Sequence, residues 1–222
     1  NIEAEIIVMD DASPQHETRK TNSIINKLPN GRFIQLENNV GIAKIRNLLA
    51  DEAKYNKLLF LDSDVFPVNK NFVTSYIKAS SYSDVVCGGL MFRSTPPSPQ
   101  CTLRYKYGSQ VETMSVEERM KDPYSEFRTL SFLISRDVFM NVRFNESFTK
   151  YGHEVTFFGM ELGEKGYSIS HIDNPIYHDV PDTNEDFLAK TRRSIENLKE
   201  HQDILLSHVR LLRFYKKLHK WH

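Results

Sequence analysis

The chain has 222 residues, of which 40% are hydrophobic, and it carries 29 acidic and 29 basic side chains. This composition is typical of one globular domain with at most an appendage, and the lack of a basic excess argues against a nucleic-acid partner. Two cysteines without metal-ligand spacing, and no apolar run of about 18 residues, favour a cytoplasmic protein over a secreted or membrane-spanning one.

In the first part of the chain, short β-branched runs alternate with amphipathic stretches. Strands are predicted at 4–9, 32–36 and 57–61, and helices at 16–28 and 42–53. The run at 57–61 is almost continuously apolar, as expected for a strand that is covered on both faces. The alternation predicts an α/β fold in which helices flank a mostly parallel sheet.

Shorter elements follow, and a helical segment ends the sequence. Helices are predicted at 72–79, 115–120 and 154–164, and strands at 85–92, 129–134 and 168–172. We therefore divide the chain into a domain at 1–183 and a C-terminal helical extension at 184–222.

Apolar side chains in the extension recur at steps of three and four residues. This spacing predicts one long amphipathic helix, or two helices broken near Ser207 and His208. The stripe can pack across the domain or form a seam in a homo-oligomer. Residues 213–222 interleave cations with aromatic rings, which fits peripheral contact with the anionic inner face of a membrane or the end of a surface helix. The stripe consists of Leu188, Thr191, Ile195, Leu198, Gln202, Leu205, Val209 and Leu212.

Carboxylates follow two of the predicted strands. Asp62 and Asp64 come directly after the strand at 57–61, and Asp10 and Asp11 follow the first strand. Open α/β sheets bind ligands at the carboxyl ends of their strands, and oxygen ligands suit Mg²⁺ or Mn²⁺ held jointly with a diphosphate. The Asp10–Asp11 pair can accept hydrogen bonds from a base or ribose, or it can cap the helix that starts at residue 16.

Arg46 lies inside the second predicted helix, behind the turn at 39–41. A guanidinium whose helix points at the same sheet edge can bind a diphosphate or a planar base through its fork of donors. The alternative is a surface salt bridge to Asp51 or Glu52.

Several ordered segments of the chain closely resemble family 2 of the inverting nucleotide-sugar glycosyltransferases, which have the Rossmann-like GT-A fold. The resemblance covers roughly residues 4–190 and implies transfer of a hexosyl or N-acetylhexosaminyl group in polysaccharide biosynthesis. The implied donor is a nucleoside diphosphate sugar, with a UDP-sugar expected, and the implied acceptor is a hydroxyl of a glycan or of a lipid-linked molecule. The matching segments are EIIVMDDAS at 5–13, NVG at 39–41, RN at 46–47, FLDSD at 60–64, FLISR at 132–136, FNESF at 144–148, YGHE at 151–154, FGMEL at 158–162 and Gly166.

The same resemblance implies how the donor nucleotide is bound. Asp10 and Asp11 would contact the nucleotide, with Asp11 accepting from the base. Arg46 would lie near the nucleotide or its phosphates, and Asp62 would lie near the ribose.

The resemblance also implies a metal site and a base. Asp64 would bind the Mn²⁺ or Mg²⁺ that bridges the diphosphate, and His178 would be a further metal ligand or phosphate contact, or else a structural histidine. Glu154 would take the proton from the acceptor hydroxyl. Many relatives use an Asp at the next position, where this chain has Val155. Either Glu154 is the base itself, or it is only a helix-capping carboxylate and catalysis is impaired.

One further difference from the family, and two alternative functions, remain. Family members begin with one more strand and helix, so we expect a unit of about 30 residues to be missing before Asn1. A sugar-nucleotide pyrophosphorylase would need a Gly-rich opening loop bearing Arg and Lys. A noncatalytic module that binds a sugar or a nucleotide is the alternative that Val155 favours.

Overall fold

Three small β-sheets with helices packed against them form the described part of the computed structural model, which covers residues 3–96, 98–178, 182–206 and 209–219. The strands are β1 (Ile6–Asp10), β2 (Gly31–Gln35), β3 (Lys57–Leu61), β4 (Val65–Pro67), β5 (Val85–Cys87), β6 (Leu90–Met91), β7 (Ser131–Ser135), β8 (Ile169–His171) and β9 (Ile176–His178). The helices are α1 (His16–Asn22), α2 (Ile42–Glu52), α3 (Phe72–Ala79), α4 (Thr102–Tyr107), α5 (Val116–Met120), α6 (Arg136–Val142), α7 (Glu154–Glu164), α8 (Asn184–Glu200), α9 (Gln202–Leu205) and α10 (Arg210–His219).

The α/β architecture is as predicted, but the sheets are mixed instead of mostly parallel. Strands β1 and β2 form a parallel pair, and the central sheet has the order β3-β7-β5-β8. Strand β7 runs antiparallel to both of its neighbours, whereas β5 and β8 are parallel. Their nearly continuous apolar sequences made β3 and β7 look like parallel strands that are covered on both faces. In the structure β7 is a central antiparallel strand and is buried in this way, whereas β3 is an edge strand with Leu61 45% exposed.

The predicted strand at 85–92 is two strands in different sheets, separated by Gly88 and Gly89. Gly89 has a φ of +99°, and a Cβ on Gly88 would lie 2.3 Å from the Tyr76 hydroxyl oxygen. Strand β6 therefore leaves the central sheet and pairs with β9. The predicted helix at 16–28 is also divided, because a 3₁₀ turn at Ser23–Lys27 follows α1.

Aromatic rings dominate the main hydrophobic core under the central sheet. The Phe60 and Phe132 rings stack with centroids 4.8 Å apart, and Phe144 stacks on Phe158 at 4.2 Å. Phe144 lies just before the loop that leads to α7, so this stack joins the core to the segment that carries Glu154.

The C-terminal helices pack against the domain through only part of the predicted stripe. Leu198, Leu205 and Leu212 are buried with Phe148, whereas Leu188 and Ile195 are exposed. Helix α8 ends at Glu200, and the predicted break at residues 207–208 lies outside the described residues. Among the described helices, none is both long and apolar enough to cross a membrane.

Candidate active site

The short antiparallel pairing of β4 with β9 brings two of the predicted site residues together. Val65 lies opposite His178 in this ladder, so Asp64, one residue earlier, comes next to the imidazole. His178 Nε2 is 3.5 Å from Asp64 Oδ2. The hydrogen bond from His178 lowers the pKa of the Asp64 carboxyl, against the opposing effect of burial.

Arg46 is buried between the other two predicted carboxylates. Its Nη2 is 3.2 Å from Asp62 Oδ1 and its Nη1 is 3.5 Å from Glu154 Oε1, while the guanidinium lies 5.3 Å from the centroid of the Phe144 ring. Burial raises the pKa of the Asp62 carboxyl, and Arg46 opposes that rise. The guanidinium therefore holds two carboxylates from distant parts of the chain in one cluster.

The alternative of a surface salt bridge for Arg46 is wrong. Asp51 pairs with Arg143 at 2.7 Å, and Glu52 pairs with Arg32 at 2.6 Å. Arg46 itself is 5% exposed, because it lies on the inner side of α2.

Glu154 is the first residue of α7 and is itself 5% exposed. Its Oε1 faces Arg46, and its Oε2 is buried without a hydrogen-bond partner among the described residues. Val155 packs against the main hydrophobic core. In this fold, the carboxylate of Glu154 reaches the cluster, whereas the side chain of the next position faces away from it.

Two residues with left-handed backbones precede Glu154, and α8 holds them. Gly152 has a φ of +93° and His153 has a φ of +72°. Ser194 Oγ lies 3.1 Å from His153 Nε2, and the Asn197 side-chain amide donates to the carbonyl oxygens of Lys150 (3.2 Å) and Gly152. This contact was not predicted from the sequence, although polar residues three apart on an amphipathic helix were a signal for it.

Asp10 and Asp11 bind backbone groups near the ends of strands β1 and β2. Ser13 N donates to Asp10 Oδ2 at 3.1 Å. The backbone N–H groups of Val40 and Gly41 donate to the two carboxylate oxygens of Asp11, at 2.7 and 3.0 Å. Asp11 thus holds the turn that leads into α2, the helix that carries Arg46. The alternative, a cap on the helix at residue 16, is wrong, because no side chain of the described residues caps that helix.

Asp64 and His178 can supply two of the ligands of a divalent cation, so that they form an incomplete metal site. A carboxylate oxygen and an imidazole nitrogen 3.5 Å apart can share one ion. The described residues contain no group of three His, Cys, Asp or Glu side chains that could hold a metal by themselves. Such a site suits Mg²⁺ or Mn²⁺, which take their remaining ligands from water and substrate phosphates.

A family model and several solved structures match the chain. The model of glycosyl transferase family 2 matches residues 2–144. Crystal structures of S. aureus TarS 1–349, alone and in complex with UDP-GlcNAc, superpose with TM-scores of 0.56 and 0.53, at 20% and 22% identity, over 85% of this chain. GalNAc-T7 with UDP, GalNAc and Mn²⁺ superposes with a TM-score of 0.58 at 16% identity over 79% of this chain.

These similarities confirm the predicted GT-A fold. The chain covers 54% of TarS 1–349, 55% of its UDP-GlcNAc complex and 37% of GalNAc-T7, so it spans about half of the TarS fragment and less of GalNAc-T7. A search of curated protein sequences finds no match.

Proposed function

The chain belongs to glycosyl transferase family 2, and from this membership we propose that it transfers a sugar from a nucleoside diphosphate sugar to a hydroxyl group, with inversion at the anomeric carbon. The observation that carries the proposal is the buried bridge of Arg46 between Asp62, at the end of β3, and Glu154, at the start of α7. This bridge brings a nucleotide-side carboxylate and a candidate base to one site. The sugar is a hexosyl or N-acetylhexosaminyl group, and the acceptor is a glycan or a lipid-linked molecule.

Glu154 acts as the general base in this proposal. Its Oε1 is held by Arg46, and its unpartnered Oε2 is the atom that accepts the proton from the acceptor hydroxyl. A fixed orientation of the carboxylate favours proton transfer as the hydroxyl oxygen attacks the anomeric carbon. The packing of Val155 against the core supports Glu154, not position 155, in this role.

Asp10, Asp11 and Asp62 form the nucleotide side of the site. The backbone N–H groups of Val40 and Gly41 use one acceptor position on each Asp11 oxygen, which leaves further lone pairs for a base. Asp62 is partly exposed beside Arg46 and accepts from the ribose. Two of the similar structures contain UDP or UDP-GlcNAc, which supports a UDP-sugar as the donor.

Asp64 and His178 would hold a Mn²⁺ or Mg²⁺ ion. When bound there, the ion would supply positive charge that stabilises a departing diphosphate. The presence of Mn²⁺ in the similar GalNAc-T7 structure, and the imidazole in this pair, favour manganese.

The proposed function is tested by measuring how much nucleoside diphosphate is released from each of a panel of nucleotide sugars in the presence of Mn²⁺. We expect release in the wild type, and a fall of about 10²–10⁴-fold in Glu154→Gln, the range typical of a lost general base. Asp64→Ala should lose activity at all Mn²⁺ concentrations. Glu164→Gln, an exposed carboxylate on the same helix, is the control and should leave activity unchanged.

Unchanged release in both Glu154→Gln and Asp64→Ala would contradict the proposal. Nucleotide binding without any release would favour the noncatalytic module. The family match favours glycosyl transfer over the pyrophosphorylase alternative.

A further inference from the structure

Positive charge stabilises a departing diphosphate, and the arginine expected to supply it from the protein lies in a buried cluster. Arg46 is 5% exposed, and its two terminal nitrogens face Asp62 and Glu154. The low exposure of this guanidinium limits the access of a phosphate to it.

Lys190, on α8, is a more accessible cation at the edge of the same site. Its Nζ lies 2.7 Å from both Asp182 Oδ1 and Asp182 Oδ2, and 5.8 Å from the centroid of the Tyr151 ring. The Lys190 side chain is 33% exposed. The two bonds to Asp182 use two of the three N–H donors of the ammonium group, and the third remains for a ligand oxygen.

Lys190 contacts residues that lie close in the sequence to both halves of the site, Asp182 through its carboxylate and Tyr151 through its ring. Asp182 comes four residues after His178, and Tyr151 comes three residues before Glu154. One helical turn beyond Lys190, Ser194 contacts the loop that leads into Glu154.

We propose that Lys190 contacts the diphosphate of the donor nucleotide, and that Asp182 holds the ammonium at this edge and competes with the phosphates for it. The inference rests on the proposed function and adds a binding residue to it. Both carboxylate oxygens of Asp182 lie at the same distance from the Lys190 ammonium, and phosphate oxygens would take their place when the donor binds. A flexible four-carbon side chain can follow the ligand without moving α8.

Calorimetric titration in the presence of Mn²⁺ tests the contact. UDP, GDP and CDP are each compared with the corresponding nucleoside, so that the phosphate contribution is separated from that of the base and ribose. For the diphosphate that binds, Lys190→Gln should raise Kd about tenfold, as expected for the loss of one charge-assisted hydrogen bond, while the Kd of the nucleoside stays the same. Lys190→Arg should retain most of the affinity, because it keeps the cation.

Two further variants complete the test. Lys199→Gln removes an exposed cation of the same helix and should not change either Kd. Asp182→Asn removes the competing carboxylate. It should lower the Kd of the diphosphate about threefold, because the neutral amide competes less strongly with the phosphates for the ammonium. This variant keeps Lys190 and tests the contact even where Lys190→Gln does not fold.

The outcomes separate this inference from the proposed function. Unchanged diphosphate affinity in Lys190→Gln, or an equal loss for diphosphate and nucleoside, overturns the role of Lys190 and leaves the proposed function standing. A folded wild type that binds none of the diphosphates overturns the proposed function, and the role of Lys190 falls with it.

Discussion

Arg46 shows at the residue scale how one side chain organises the site. The family resemblance implies a position near the nucleotide or its phosphates, and the structure surrounds Arg46 with Asp62, Glu154 and the Phe144 ring. Two carboxylates that lie near each other would repel without a cation between them. The arginine lies between them, and its neutral replacement therefore affects stability as well as activity.

We predict that Arg46→Met lowers the free energy of unfolding by about 3 kcal/mol, because it leaves a buried charge uncompensated. The matched control is Arg32→Met, whose partner Glu52 lies 2.6 Å away in an exposed pair. That change should cost less than about 1 kcal/mol. Urea denaturation measures both values, and equal effects in the two variants would show that the Arg46 bridge contributes no more than a surface pair.

The surroundings of His171 predict how the stability of the protein depends on pH. Arg119 Nη1 lies 3.0 Å from His171 Nδ1, and His171 Nε2 lies 3.0 Å from the Pro123 carbonyl oxygen. Since Arg119 only donates, Nδ1 must accept and Nε2 must donate, which is the neutral ring. Burial lowers the pKa of His171, and Arg119 adds to this effect.

The folded pKa of His171 is therefore below the unfolded value of about 6.5. The stabilisation by the neutral ring is fully present above that pH and is lost as the pH falls through the folded pKa. We expect the unfolding free energy to decrease on acidification below about pH 6.5, and to decrease less in His171→Gln. Parallel pH profiles for the two proteins would contradict this assignment.

At the element scale, α8 is a support for the loop that presents Glu154. The apolar stripe in the sequence predicted the buried side of α8 only in part, since Leu198 is buried while Leu188 and Ile195 are exposed. The helix is rotated so that Asn197 faces the loop, where its side-chain amide binds backbone carbonyls. Hydrogen bonding to a backbone with positive φ, and not apolar burial alone, sets the orientation of this helix.

We predict that Asn197→Ala lowers kcat by at least about tenfold while the KM for the donor changes little, because the loop before Glu154 loses two hydrogen bonds. The unfolding free energy should fall by about 1–3 kcal/mol. Glu196→Ala, an exposed neighbour on the same helix, is the control. Steady-state kinetics separate the two parameters, and a loss confined to KM would place the effect at the donor site instead of the base.

At the scale of the whole molecule, charge is distributed unevenly along a chain with no net charge. Residues 204–222 contain five Lys or Arg and no Asp or Glu, so residues 1–203 carry a net charge of −5. In α10, the consecutive residues Arg213, Phe214, Tyr215 and Lys216 are exposed, whereas Leu212 is buried against the domain. This pattern suits peripheral contact with an anionic membrane.

We predict that the chain sediments with phosphatidylserine vesicles at low salt and less so at high salt. The double variant Arg213→Glu/Lys216→Glu should weaken vesicle binding by at least about 30-fold, at about 1 kcal/mol for each lost cation. Lys20→Glu/Lys121→Glu makes the same change in net charge at exposed positions elsewhere. Equal losses in the two double variants would mean that net charge, and not α10, controls binding.

Much of the fold follows from local patterns. The strand at 57–61 and the helices at 72–79 and 154–164 were predicted with their observed bounds, because apolar periodicity and terminating residues are local properties. The direction of β7 was not predictable in this way. It depends on how the long segment before β7 returns to the sheet, and burial on both faces is compatible with either direction.

The sequence by itself determined which chemical groups stand at the ends of the strands and at the start of α7, and the ordered motifs were sufficient for the family. Only the tertiary structure decided which of these groups meet. Arg46 and Glu154 are 108 residues apart, and Lys190 reaches the same region from the extension. Such pairings depend on sheet order and helix rotation, which result from the packing of the whole core and are not encoded in any single segment.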